Sequence, residues 1–112
     1  MTFAKASRIN GCEYRKEASG VGWGAYEGGI LRASTKVKDE KRAAHLLTEE
    51  IYRQNRLKAL ARDGYRCIRC SSTGPLHIHH RVHRGMGASR RDDRVENLET
   101  ICHRCHGKEH GG

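Results

Sequence analysis

Between Asp39 and Arg62 the chain turns to Ala, Leu, Glu, Lys and Arg, and its apolar positions fall at helical spacing. Ala44, Leu47 and Ile51 share one face, and Leu57, Leu60 and Ala61 form a second stripe slightly out of phase with the first. The pattern predicts a supporting helix over 39–62, with a kink or a division into two shorter helices left open around Gln54 and Asn55. Asp39 and Glu40 suit its start, where acidic groups meet the positive end of the helix dipole. Asp63-Gly64 is a stop signal. Upstream there is no steady hydrophobic period. Gly20, Gly22, Gly24, Gly28 and Gly29 lie among scattered charges, and few large apolar groups are present to offset the entropy of ordering them. A loosely ordered basic arm is therefore predicted over 1–38, with room for a short hairpin near Trp23 and Tyr26. Residues 63–112 form the last unit, in which Leu76-His-Ile-His-His80 reads as a strand.

Composition explains why this lean pattern needs help. Apolar residues make up 36% of the 112-residue chain and aromatics 5%, too little for a large core in what is one domain's worth of protein. A chain of this kind usually needs disulfides or a structural metal. No apolar run follows Met-Thr-Phe-Ala-Lys, so no signal peptide is expected. Nothing approaches the ~20 apolar residues of a membrane span. The expected setting is a reducing cytoplasm, where paired cysteines are metal ligands more often than disulfides. The net charge of +9 favours a polyanionic partner through counterion release, and nucleic acid fits best. On that reading the 1–38 arm tracks a DNA backbone; as a plain disordered tail it would do nothing, and composition does not separate the two.

Cys67-Ile-Arg-Cys70 and Cys102-His-Arg-Cys105 are two Cys-x-x-Cys pairs separated by 31 residues. Two residues between thiolates let both sulfurs reach one ion through a tight knuckle, and two knuckles complete a tetrahedral site. Filled by four cysteines, such a site has no open position, so the expected Zn²⁺ is structural and its binding energy stands in for the missing core. Cys12 is left over and reads as an inert thiol.

Seven of the eight histidines lie at 77, 79, 80, 83, 103, 106 and 110. His106 and His110, at i and i+4, are neighbours on a helix surface and can grip one ion. A strict strand puts His77 and His79 on one face and Ile78 and His80 on the other; a bend at Gly85 and Gly87 would be needed to bring 79 and 80 to one phosphate. His77, His83 and His103 read as flanking residues.

Taken in order, the Cys-x-x-Cys, the strand ending in His79-His80, the loop Arg84-Gly-Met-Gly-Ala-Ser89, Asn97-Leu98 and Cys102-His-Arg-Cys105-His106 resemble the zinc-knuckle form of the HNH nuclease family, over about residues 62–110. The resemblance implies an α+β fold with a ββα-metal (His-Me finger) core and a four-cysteine zinc site, preceded by the helix and the flexible basic arm. It implies a metal-dependent DNA endonuclease that leaves 5′-phosphate and 3′-hydroxyl ends. By position, His80 is its general base, and Asn97 braces the loop carrying that base. His79, His106 and His110 hold the catalytic divalent ion (Mg²⁺, Mn²⁺, Ni²⁺ or Zn²⁺), and Cys67, Cys70, Cys102 and Cys105 hold the structural zinc. An unperturbed imidazole, with a pKa near ~6.5, can take a proton from water at physiological pH. The sequence departs from the family at Gly87-Ala88, where a Gly-Gly is common, and at His79, where many relatives have Asp; the second change favours softer ions. Arg81, Arg84, Arg90, Arg91 and Arg94 surround the expected site and would meet phosphates. Short free-standing HNH proteins of tailed phages sit beside packaging genes, which implies host bacterial cytoplasm and a packaging partner such as a terminase. The alternative is a non-catalytic zinc-knuckle module that binds nucleic acid.

Overall fold

The computed structural model describes residues 3–18, 20–81 and 92–109. Its elements run α1 (Phe3–Asn10), β1 (Glu13–Lys16), β2 (Trp23–Glu27), β3 (Ile30–Thr35), α2 (Glu40–Arg62), β4 (Leu76–His80), β5 (Leu98–Cys102) and α3 (His103–Glu109), with a 3-10 turn at Val95–Asn97 before β5. β1, β2 and β3 form an antiparallel sheet in that order, and β4 and β5 form a separate antiparallel pair. Among the described residues no helix is long and apolar enough to cross a membrane.

α2 begins where the acidic pair predicts. The Asp39 side chain accepts a hydrogen bond from the Arg42 backbone N–H at 2.9 Å, an N-cap that satisfies one of the helix's orphan donors. The helix runs unbroken to Arg62, so the kink left open at Gln54 and Asn55 does not occur. The second apolar stripe also falls differently from expectation. Leu57 is exposed, and the buried line continues instead through Ala44, Leu47, Ile51, Asn55 and Ala59. A polar residue at 55 hid that continuity, because the side chain buried there is held by hydrogen bonds and not by apolar contact.

The 1–38 segment is the main correction. Its described part is ordered as α1 and the three-stranded sheet, built on α2. The core here consists of Ala6, Cys12, Tyr14, Ala25, Ala44, Leu47 and Ile51, with Trp23 and Ala33 packed against it. Four alanines and a cysteine let backbones approach closely, so a real core forms from residues that carry almost no hydrophobic signal in sequence. The hairpin near Trp23 and Tyr26 is present as β2–β3. Its two-residue link is Gly28-Gly29, both at positive φ (59° and 83°), as turns matched to strand twist require. Gly22, at φ 84°, is obligatory for a second reason: a Cβ there would collide with the Thr35 backbone carbonyl. Cys12 is fully buried, and burial pushes its thiol up, as an inert core cysteine should be.

The C-terminal core is much smaller. Cys67, Ile101 and Cys102 are buried together, with Leu76 and Cys105 against them. Asp63 ties it to α2. Its carboxylate accepts both Arg62 guanidinium nitrogens at 2.8 and 2.9 Å and the Thr100 N–H of β5 at 3.0 Å. The Arg62 guanidinium beside it holds the Asp63 carboxyl below its ordinary value.

Candidate active site and metal centre

The loop 67–71 closes as a tight turn. The Cys67 carbonyl accepts the Ser71 N–H at 2.9 Å, with Ser71 at φ 63°. The Ile68 N–H donates to the Thr100 carbonyl, and the His103 N–H to the Pro75 carbonyl, pinning each knuckle to the strand pair. The result is that the sulfurs of Cys67, Cys70, Cys102 and Cys105 all lie within 4.8 Å of one another, and those of Cys70 and Cys102 are 3.5 Å apart. A tetrahedral zinc with Zn–S bonds of about 2.3 Å separates its sulfurs by about 3.8 Å. The four residues fit the ion.

The local field prepares them to bind it. Burial pushes the Cys67 thiol up, but backbone groups of Cys102, Arg69 and Cys70 together outweigh that and bring it down to about 6. The Cys105 backbone likewise lowers Cys102, and the Cys105 N–H reaches its sulfur at 3.5 Å. Cys105 moves the other way, up to about 12, because its neighbour Cys102 and the remaining sulfurs crowd it. At Cys70 the Ser72 backbone lowers the thiol, yet Cys102 and Cys67 raise it overall. Four adjacent sulfurs cannot all ionise unless a cation offsets the repulsion, which is the electrostatic signature of a metal site.

The histidines divide by strand face. β4 stays extended through His80, with His79 paired to Glu99 and His80 to Leu98 on β5, so alternation places His79 and His80 on opposite faces. On the first face His79 meets His106 of α3 edge-on, with ring centroids 6.2 Å apart. Two rings sharing an ion at about 2.1 Å have centroids roughly 5–6 Å apart, so this pair lies close to the spacing a shared ion needs. His77, read as a flanking residue, stacks on His106 at 4.9 Å and places its Nε2 3.3 Å from Nδ1 of the exposed His103. Sequence spacing alone did not reveal this ring cluster, since 77 and 103 meet only through the β4–β5–α3 arrangement.

On the second face His80 is nearly buried. Its Nε2 lies at hydrogen-bond distance, 2.7 Å, from the Asp93 carboxylate, and its ring stacks on Tyr52 of α2 at 5.9 Å. Asn97 lies beside it. The Asn97 carbonyl accepts the Arg81 N–H at 2.8 Å, and its side-chain amide donates to the Asp92 carbonyl at 2.7 Å. The residue thus joins the end of β4 to the segment before β5. Asp93, Tyr52 and Asn55 were not singled out from sequence. Asp93 lies in the charge-rich run Arg90-Arg-Asp-Asp-Arg94, whose composition is that of solvated surface.

Of the five arginines, Arg81 is half exposed and only 3.5 Å from Glu99. Arg94 is also about half exposed. It forms a two-pronged pair with Asp92 at 2.7 and 2.9 Å and lies 3.6 Å from Glu96, so its guanidinium braces its own loop. Arg84, Arg90 and Arg91, the loop glycines, His83 and the third expected ligand His110 lie outside the described residues.

Residues 67–112, from the first knuckle to the end of the chain, match the HNH family model, whose description is HNH endonuclease. The matched segment is part of a small α+β fold and carries four cysteines grouped for a metal ion. Comparison with curated proteins and with solved structures gives no match.

Proposed function

We propose that this chain is a metal-dependent DNA endonuclease that hydrolyses phosphodiester bonds. In this reading His80 is the general base, and one divalent ion is held by His79, His106 and His110. The observation that carries it is the approach of His79 to His106 across β4 and α3 within the HNH segment. When bound, the ion would supply Lewis-acid stabilisation to the phosphoryl and leaving 3′ oxygens, giving 5′-phosphate and 3′-hydroxyl ends. The donor set of imidazoles suits Zn²⁺ or Ni²⁺, and Mn²⁺ or Mg²⁺ are to be tried beside them.

The chain's own residues supply the rest. Nδ1 of His80 has no hydrogen-bond partner among the described residues, so it is the nitrogen that takes a proton from the attacking water. A phosphodiester lying across the end of β4 would be reached by residues 79 and 80 from the two sides of the strand. Asn97 fixes that strand end through the Arg81 N–H. The exposed Arg81 guanidinium, with Arg84, Arg90 and Arg91 in the following loop, would contact phosphates and not bases, consistent with weak sequence preference. A packaging partner such as a terminase belongs to the same proposal, drawn from the resemblance to phage proteins.

The test is plasmid nicking by the zinc-loaded chain, with and without EDTA, across Mg²⁺, Mn²⁺, Ni²⁺ and Zn²⁺. Nicking should require added metal. His80→Ala should lower it by about 10²–10⁴-fold, the usual worth of general-base catalysis, at unchanged zinc content and DNA affinity. A His80→Ala variant that nicks at the wild-type rate would remove the base assignment. DNA binding with no metal-dependent nicking would make the chain a non-catalytic zinc-knuckle module.

A further inference from the structure

We infer that Asp93 is a positioning residue for His80: it fixes the ring tautomer and orientation so that Nδ1 alone is presented to the attacking water. The inference rests on the proposed role of His80 as base, and deepens it.

Three observations converge. Asp93 is fully buried, and its Oδ1 lies 2.7 Å from His80 Nε2. A carboxylate can only accept, so the shared proton sits on Nε2 and Nδ1 carries the free lone pair. The second observation is that the ring cannot turn away easily. Tyr52 covers its face at 5.9 Å with an interplanar angle of 14°, and the His80 side chain is only 10% exposed. The third is that Asp93 is itself anchored along its backbone. Its N–H donates to the Ile9 carbonyl, and its carbonyl accepts Asn55 Nδ2 at 2.9 Å. Asn55 is held in turn by Arg32, whose guanidinium donates to Oδ1 at 3.0 Å. The preceding residue, Asp92, is gripped by Asn97 and Arg94.

A hydrogen bond of this kind does two things for a base. It excludes the tautomer with the proton on the wrong nitrogen, and it stabilises the imidazolium that forms when water is deprotonated. Groups that orient a reacting side chain typically cost about 10–100-fold in activity when removed. Asp93 never touches substrate on this account, so its effect must pass entirely through His80.

The experiment reads position and catalysis separately. Long-range ¹H–¹⁵N NMR on the zinc-loaded full chain, with His80→Ala to assign the ring, should show His80 protonated at Nε2 only. In Asp93→Asn, which keeps the side-chain volume, the same ring should show a mixture of tautomers. In nicking, Asp93→Asn should lower kcat about 10–100-fold at unchanged KM, yet add less than about 2-fold when placed on top of His80→Ala. A wild-type His80 protonated at Nδ1 overturns the inference, even if the variant does not fold. So does an unchanged tautomer in Asp93→Asn, or an equal loss from Asp93→Asn in both backgrounds. Failure of wild-type nicking would sink the endonuclease reading instead, and the tautomer measurement would still decide whether Asp93 orients the ring.

Discussion

Removing the structural ion should unfold the C-terminal part of the chain while the N-terminal core survives. After residue 63, the large aliphatic side chains that are fully buried among the described residues are Leu98 and Ile101. Burying each is worth about 1.5–3 kcal/mol, so together they supply roughly 3–6 kcal/mol. Ordering the backbone of β4 and β5 alone, five residues each, costs roughly 10–20 kcal/mol. The ladder's hydrogen bonds return only part of that, since each nets about 1 kcal/mol. Zinc held by four thiolates contributes roughly 10–16 kcal/mol at neutral pH, which covers the shortfall. In the N-terminal core Tyr14 and Trp23 pack with Leu47 and Ile51 of α2, and none of the four grouped cysteines is part of it. The assay is chelation followed by hydrogen exchange, with zinc release quantified and Trp23, the one tryptophan, reporting the N-terminal sheet. Protection of the β4–β5 amides should collapse as zinc leaves, with Trp23 emission little changed. A chain shown to be metal-free that keeps β4–β5 protection would refute the argument.

Two further outcomes follow from the same structure. At neutral pH the ion must displace the protons held by Cys70 and Cys105, whose thiols lie above their ordinary value, whereas Cys67 and Cys102 are already lowered. Zinc binding should therefore release protons, Cys70 and Cys105 contributing most, and affinity should fall as pH drops, more steeply below about 6 where Cys67 also takes a proton; calorimetry in buffers of differing ionisation enthalpy measures this, and a proton-independent affinity would contradict it. Asn55→Ala should destabilise the chain by about 2–3 kcal/mol, because it strands the buried Asp93 carbonyl and one Arg32 donor together; denaturant midpoints check it, and a change below about 0.5 kcal/mol would show that water replaces the amide.

Legibility in the sequence followed the physical nature of each signal. The zinc knuckles could be read because metal geometry constrains both residue type and spacing, and thiols at 67, 70, 102 and 105 meet both constraints. α2 could be read because Ala44, Leu47 and Ile51 repeat at the helical period, and Asp39 caps it as its position implies. The sheet of β1, β2 and β3 could not, because Ala6, Cys12, Ala25 and Ala33 bury small groups whose patterning leaves no trace. Gly22, Gly28 and Gly29 were read as signs of disorder when each serves a defined backbone geometry. Asp93 was hidden for a different reason. A buried carboxylate facing a histidine is specified by tertiary contact alone, and a charge-rich stretch such as Arg90–Arg94 reads as solvated surface until the fold is known.

The working unit is therefore larger than the segment that matches the HNH family. That match begins at Cys67, but the residues that hold Asp93 and His80 in place come from outside it: the Ile9 carbonyl at the end of α1 and Asn55 of α2 on Asp93, Tyr52 of α2 on the His80 ring, and Arg32 of β3 on Asn55. Arg32 reaches two neighbours on α2, donating to Gln54 at 3.0 Å as well as to Asn55, and it also pairs with Glu27. The chain of bonds runs from Arg32 in the N-terminal sheet through Asn55 and Asp93 to the His80 ring without passing through the Cys-x-x-Cys turns. The two Cys-x-x-Cys turns are pinned to β4 and β5, while bonds from the N-terminal sheet reach the carboxylate beside the last histidine of β4. The segment expected to be a loosely ordered basic arm is, in its described part, a packed sheet whose Arg32 reaches through Asn55 and Asp93 toward the His80 ring.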